Sequence, residues 1–258
     1  MFPQTPLSLF GVLILRYLII AAIPFILFYG LKRRVWLWKK IQSKFPHAND
    51  FIREIAYSVL TTLIFTAYGW GVFMSPLKTY TQVYFTIEEW GWGYFWGSVG
   101  FMLIVHDAYF YWTHRAMHHR LFFSWFHRVH HLSQNPSPWA AFAFHPLEAL
   151  VEGGIIWVFA FLFPVHPLAV ALFMLFMTIY NVYGHLGYEL YPRSFASSVV
   201  GQWINTSVNH NQHHQYFKGN YGLYFLWWDR WLGTLRKDYE QTFQEVTSRR
   251  KTQPCDLF

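Results

Sequence analysis

The stretch His106–His118, reading HDAYFYWTHRAMH, decides how the rest of the chain is read. It closes an aromatic, apolar run that begins near Gly93, and it ends with His114 and His118 four residues apart. Residues four apart share one face of a helix, so an apolar helix here delivers two imidazoles side by side at its end. Nine residues after His118 comes His127-Arg128-Val129-His130-His131, and far downstream His210-Asn211-Gln212-His213-His214 repeats the H-x-x-H-H spacing. Even with histidine at about one position in eighteen, as in this chain, one such motif is expected only on the order of 0.04 times in this length. Crowded imidazoles without a metal would leave buried polar groups unpaired, or repel one another once protonated. The three clusters therefore read as metal ligands, whereas the isolated His47 and His166 read as ordinary satisfied polar residues.

Outward from these clusters the chain has a membrane composition. Of its 258 residues, 54% are hydrophobic, 22% aromatic and only 13% charged. Apolar runs at Leu7–Tyr29, Ile55–Met74 and Gly93–Trp112 each approach the roughly 20 residues that a bilayer core requires. Two shorter runs, Ala149–Phe163 and Leu168–Tyr183, flank Pro164, His166 and Pro167 and read as a tilted or re-entrant hairpin. The first run is too long for the core of a cleavable signal and its positive charges follow it, so an anchor that stays is expected. Lys32, Arg33, Arg34, Lys39, Lys40, Lys44 and Arg53 crowd the first loop, while the next holds only Lys78. The positive-inside rule then puts the first loop, residues 113–148 and residues 184–258 in the cytoplasm, with every histidine cluster. The fold class expected is an all-α integral membrane protein: about four spanning or hairpin helices under a cytoplasmic helical cap. Its divisions are anchor helices and basic loop (1–92), a catalytic part (93–237) and a peripheral polar tail (238–258).

The net charge of +7 is spread beside apolar runs, which fits lipid contact and topology and excludes a nucleic-acid partner. Cys255 is the only cysteine, so neither an intramolecular disulfide nor a thiolate cluster is available, and a metal must be held by histidine and carboxylate. Neutral imidazole suits iron, zinc, copper and nickel alike. Eight or more candidates are too many for one ion and right for two, and a nitrogen-bound pair at a membrane surface fits iron that activates dioxygen. Zinc hydrolysis would want a general base beside its ligands, as in H-E-x-x-H, and that motif is missing. The carboxylates near the clusters, Asp107, Glu148, Glu152 and Glu189, are placed to accept from imidazole N–H groups and set their tautomers. Two rival classes are a histidine-rich metal transporter and a membrane scaffold with structural zinc; a transporter would place sites towards both faces.

The pattern resembles the sterol desaturase and fatty acid hydroxylase superfamily over about residues 100–237, with the sterol C5-desaturase branch looking closest. The marks are Tyr111–His118, His127–His131, His145-Pro146-Leu147-Glu148, Gly184–Tyr188, His210–His214, Gly219-Asn220-Tyr221-Gly222 and Trp228-Asp229-Arg230. The resemblance implies two iron ions on His114, His118, His127, His130, His131, His185, His210, His213 and His214, with zinc able to occupy the isolated protein. It adds His145, as a ligand or just behind one. It also implies dioxygen as co-substrate and a membrane lipid, sterol-like or fatty acyl, that is hydroxylated or desaturated in lipid biosynthesis. The chain departs from the pattern at Asn209, Asn181 and Glu189, so an amide, a carboxylate or water can enter one metal's shell. No b5-like haem segment, flavin fingerprint or iron–sulfur cysteine set is present, so electrons are expected from a separate cytochrome b5-like protein, ferredoxin or reductase. Arg115, Arg120, Arg128, Lys218 and Arg230 offer such a carrier a basic face, or serve lipid headgroups. A bacterial inner membrane or the endoplasmic reticulum is the expected location.

Overall fold

A computed structural model describes residues 3–250, so Cys255 lies outside the described residues. Ten α-helices carry the fold, and no strands form among the described residues beyond isolated bridges. Helix α1 (Pro6–Phe25) starts at Thr5, whose side chain accepts from the Ser8 N–H, and continues through a π-helical turn at Ile26–Leu31. Helix α2 (Ala48–Phe73) begins where the His47 N–H donates to the Asp50 carboxylate, and α3 (Gly91–Met117) runs the full length of the aromatic stretch. Short helices α4 (Phe123–Phe126) and α5 (Arg128–His131) turn the chain back. Helices α6 (Pro146–Leu162) and α7 (Pro167–Gly184) each open on a His-Pro pair. There the histidine accepts a backbone N–H and proline takes the first helical position, where no N–H is needed.

Three segments, Pro6–Leu31, Ala48–Phe73 and Pro167–Gly184, are long and apolar enough to cross a membrane. Helix α3, at 27 residues, is about 40 Å long but is not among them, and α6 and α7, joined by a short turn, pack chiefly on α2 and on α3 rather than on each other. Leu7, Leu15, Ile19 and Ile23 are exposed along α1, which is how a lipid-facing stripe looks. Between helices the packing relies on close approach. A Cβ on Gly153 would stand 2.8 Å from the Tyr68 ring, so only glycine lets α6 lie against α2 there. Tyr17 threads from α1 to donate its hydroxyl to the Trp139 carbonyl at 2.7 Å, a buried polar contact that pins the first span to the loop beneath.

At one end of the bundle the C-termini of α3 and α7 meet the N-terminus of α6, and α8 (Ser207–Tyr216) closes across them. The basic first loop covers the same end, with Gln42 donating to Asn211 and to the Gln134 carbonyl. Helix α9 (Trp227–Trp231) and α10 (Tyr239–Ser248) complete this cap. The polar segment after Asp238, read from composition as peripheral, buries Tyr239, Phe243 and Val246 with Ile41, Val208 and Leu226. The three are spaced as one helical stripe, and that spacing outweighs the polarity of the residues between them.

Candidate metal centre

The cap gathers nine histidines into two groups. His114, His118, His127, His131 and His213 form one; His130, His185, His210 and His214 form the other; within each group one ring nitrogen per residue lies within 4.8 Å of all the rest. Each H-x-x-H-H motif is divided between them. Its first and last histidines, four apart on one helical face, serve one group, and the middle histidine turns to the other. His145 joins neither: its Nδ1 accepts from the Leu147 N–H and caps α6. His47 and His166 also stay outside both groups.

The outer nitrogens reveal what the inner ones can do. Nδ1 of His114 lies 2.8 Å from the Tyr221 carbonyl, that of His213 2.8 Å from Gly219, that of His185 2.7 Å from Asn181, and that of His214 2.9 Å from Ser133. A carbonyl cannot donate, so each of these rings carries its proton on Nδ1 and turns a bare lone pair inward at Nε2. Those Nε2 atoms crowd together. His185 stands 3.1 Å from His214, and His213 stands 3.0 Å from His131 and 3.1 Å from His118. Extra protons would make hydrogen bonds of these contacts, but burial opposes the charge. It pushes His185 down to about 4 and drives His127, His130, His210, His213 and His214 well below the usual imidazole range, with neighbouring imidazoles adding to the effect in all six. A cation between converging lone pairs resolves the conflict. Imidazole nitrogens about 2.0–2.1 Å from a metal and at right angles stand about 3 Å apart, which is the spacing seen. The donor set fits one metal ion per group.

Of the four carboxylates expected behind the ligands, Glu148 alone holds an imidazole, its Oε1 2.6 Å from His127 Nδ1. Asp107 instead accepts from the Tyr224 and Phe225 N–H groups, and Glu189 from the Tyr183 hydroxyl and the Tyr191 and Val208 N–H groups. Backbone carbonyls take over the orienting role because the turn at 217–222 is built to present them. Phe217 and Asn220 adopt left-handed backbone, and at Gly219, φ +83°, a Cβ would strike the Thr234 carbonyl at 2.7 Å. Asp229 locks the turn by accepting from the Tyr221 and Gly222 N–H groups and the Thr234 hydroxyl. The Gly219–Gly222 and Trp228–Arg230 marks thus act through the His114 and His213 rings. Asn181 donates its amide to the Ala141 carbonyl, and Asn209 is buried with neither amide atom paired among the described residues; neither lies in a histidine group.

A cavity of about 600 Å³ lies between α1, α2, α3, α6 and α7, and none of the nine histidines lines it directly. Its wall includes Phe110, whose ring centroid is 4.9 Å from His114, and Phe144, 5.2 Å from His130, so a single aromatic ring stands between the cavity and each group. Along α7 its lining residues extend from Pro167 to Asn181, about 21 Å. The wall is mostly leucine, isoleucine, methionine and phenylalanine. Sequence reading found the histidines but not this cavity, nor the ionisable Arg16 and His106 on its wall.

The model of the fatty acid hydroxylase family matches residues 99–234, more than half of the chain. The lathosterol oxidase of Mus musculus is 30% identical over 190 residues, 73% of this chain and 62% of its own length. The Delta(7)-sterol 5(6)-desaturase of Leptosphaeria maculans is 30% identical over 240 residues, 92% of this chain and 62% of its own. That of Aspergillus fumigatus is 30% identical over 217 residues, 83% of this chain and 59% of its own. The chain thus spans about three fifths of the length of these curated relatives. No solved structure matches it. With its family match, its relatives and its histidine pattern agreeing, the chain belongs to the fatty acid hydroxylase family, on the side of the sterol desaturases.

Proposed function

We propose that this chain is a membrane-bound, dioxygen-dependent oxidoreductase that hydroxylates or desaturates a C–H bond of a lipid at a di-iron centre. The observation that carries this reading is the abutment of the apolar cavity on both histidine groups through Phe110 and Phe144. In this reading His114, His118, His127, His131 and His213 hold one iron, and His130, His185, His210 and His214 the other. The bound irons would supply the dioxygen and two-electron chemistry that an unactivated C–H bond needs.

The chain's own residues do the rest. Backbone carbonyls and Glu148 hold the imidazoles neutral with their lone pairs inward, and the aromatic cavity wall keeps water from the reacting carbon. A substrate chain or ring lies along the cavity and brings one carbon to the Phe110–Phe144 end. Electrons come from a separate protein, cytochrome b5-like, ferredoxin or reductase, docking on the histidine-bearing face, and the positive charge of the first loop supports a cytoplasmic location for that face. His145 serves as a helix cap, and the remaining division is membrane anchor (1–92), catalytic part (93–237) and tail (238–258).

Comparing lipid extracts by mass spectrometry with and without expression of the chain tests the reading. A new species about sixteen mass units heavier or two lighter than a host lipid is expected, by oxygen insertion or loss of two hydrogens. Identical extracts from cells that hold the iron-loaded protein and a competent electron donor would overturn it.

A further inference from the structure

Among the described residues only one tyrosine or tryptophan ring touches any of the nine histidines. Tyr221 lies with its ring centroid 5.7 Å from His114, 5.2 Å from His118 and 5.6 Å from His213. The other side-chain rings that meet the two groups are phenylalanines, Phe110, Phe123, Phe144 and Phe217, which are far harder to oxidise. Tyr221 in turn meets the buried Tyr111 at 6.3 Å, Tyr111 stacks on Trp228 at 5.8 Å, and Trp228 meets Trp231 at 5.7 Å. Trp231 is 64% exposed, so an unbroken run of oxidisable rings joins the five-histidine group to the surface. Ring pairs at these distances are ordinary packing; what sets this run apart is its composition and its two ends. Tyr111 also has somewhere to send a proton. The Thr234 hydroxyl donates to Asp229 Oδ1 at 2.7 Å, which leaves its oxygen to accept from the Tyr111 hydroxyl at 2.9 Å. Trp112 touches Tyr111 and Trp228 as a side branch, but the Arg115 guanidinium over its ring opposes the loss of an electron there.

We propose that Tyr221, Tyr111, Trp228 and Trp231 form an outlet for oxidising equivalents, through which the centre, charged by dioxygen but lacking a lipid, oxidises a soluble thiol at the protein surface. The outlet rests on the oxidase reading above and adds a second activity to it. Tyrosine and tryptophan yield an electron to strong oxidants but accept none from biological reductants, so the run carries oxidising equivalents outward rather than a carrier's electrons inward. Electron tunnelling falls off exponentially with distance, so several steps between touching rings outrun one long step. Tyr111 passes an electron across the Tyr221 ring to the centre, and its phenolic proton moves to Thr234 as the Thr234 proton moves to Asp229. Trp228 then refills Tyr111, whose proton returns, and Trp231 refills Trp228. A thiol in solution gives Trp231 one electron and releases one proton. Two such events join two thiols as a disulfide and return two electrons to the centre.

Flash photolysis of a ruthenium tris-bipyridine complex with persulfate, applied to the iron-loaded full chain in nanodiscs, makes an oxidant at the surface and needs no dioxygen chemistry. Tyr111 is fully buried, so a tyrosyl radical there must form through the neighbouring rings. The electron paramagnetic resonance spectrum should lose most of its tyrosyl signal in Tyr111→Phe, and the signal should grow about tenfold more slowly in Trp228→Phe. No tyrosyl signal, or one indifferent to both substitutions, would overturn the outlet. A second arm mixes the reduced, iron-loaded chain with dioxygen and a nitroso spin trap, and locates the adducts by peptide mass spectrometry. Trp125 is the control, being 70% exposed on α4 of the same cap but outside this run of rings. Trp231 should carry about tenfold more adduct than Trp125, and added thiol should suppress it while becoming disulfide. Equal labelling of the two, or none while the iron is oxidised, would overturn the outlet. That comparison lies within the unaltered chain, so a substitution that misfolds leaves it standing. Iron that dioxygen fails to oxidise would count against the oxidase reading, and the flash arm would still judge the outlet.

Discussion

The two histidine groups are built from the same residue type and partly from the same motifs, yet they are supported differently. The five-histidine group has a carboxylate behind one ring, Glu148 on His127, and its His118 is only partly buried. The four-histidine group is wholly buried, and its outer contacts, Asn181 on His185 and Ser133 on His214, are neutral carbonyls. A carboxylate on Nδ1 makes an imidazole a stronger ligand than a carbonyl does. Two otherwise similar nitrogen sites are thereby made unequal, one more basic and nearer the surface, the other neutral and enclosed.

The largest expected effect comes from emptying either group. His213→Ala and His130→Ala should each abolish lipid oxidation and lower bound iron from two per chain towards one. Metal analysis beside product yield checks this, and an unchanged yield in either variant would contradict a shared centre. Next, Glu148→Gln should weaken metal binding or activity about 10–100-fold through the five-histidine group alone, the usual loss when such a supporting partner is removed. A metal titration showing both sites weakened equally would erase the contrast drawn above.

Acid should act on the enclosed group with a definite sign. Burial holds His185 near 4 in the folded chain, below the usual 6.5, so between those values the unfolded chain takes up a proton that the folded one refuses. Its contribution to stability is therefore intact above about pH 6.5 and is lost as pH falls towards 4, together with any metal that needs the neutral ring. Melting temperature and metal content that stay level from pH 7.5 to about 4.5 would refute this. The smallest effect belongs to His145→Ala, which should cost about 0.5–1 kcal/mol as a lost helix cap and leave both metals bound. Loss of a metal in that variant would restore His145 as a ligand.

Much of this was legible in one dimension because it rests on local periodicity. The apolar run Leu7–Tyr29 lies within the candidate span Pro6–Leu31, since a bilayer-length apolar helix needs no distant partner to be recognised; Gly93–Trp112 forms the core of helix α3 as expected, but α3 is not among the segments apolar enough to cross a membrane. The polarity of the last stretch hid Tyr239, Phe243 and Val246, whose role depends on a surface made by Val208 and Leu226 elsewhere in the chain. Asp107 and Glu189, near the histidines in sequence, turned out to serve backbone N–H groups, because nearness along the chain does not set side-chain direction.

By itself the amino-acid order determined the helices, the basic loop and the presence of enough imidazoles for two metals, all properties of composition and of spacing within single helices. Only the tertiary structure decided that each H-x-x-H-H motif is shared between the two groups, and that carbonyls of a glycine turn orient His114 and His213. Those facts depend on how helices far apart in sequence cross and turn their faces to one another, and a periodic pattern along one helix carries no record of which neighbour its faces will meet.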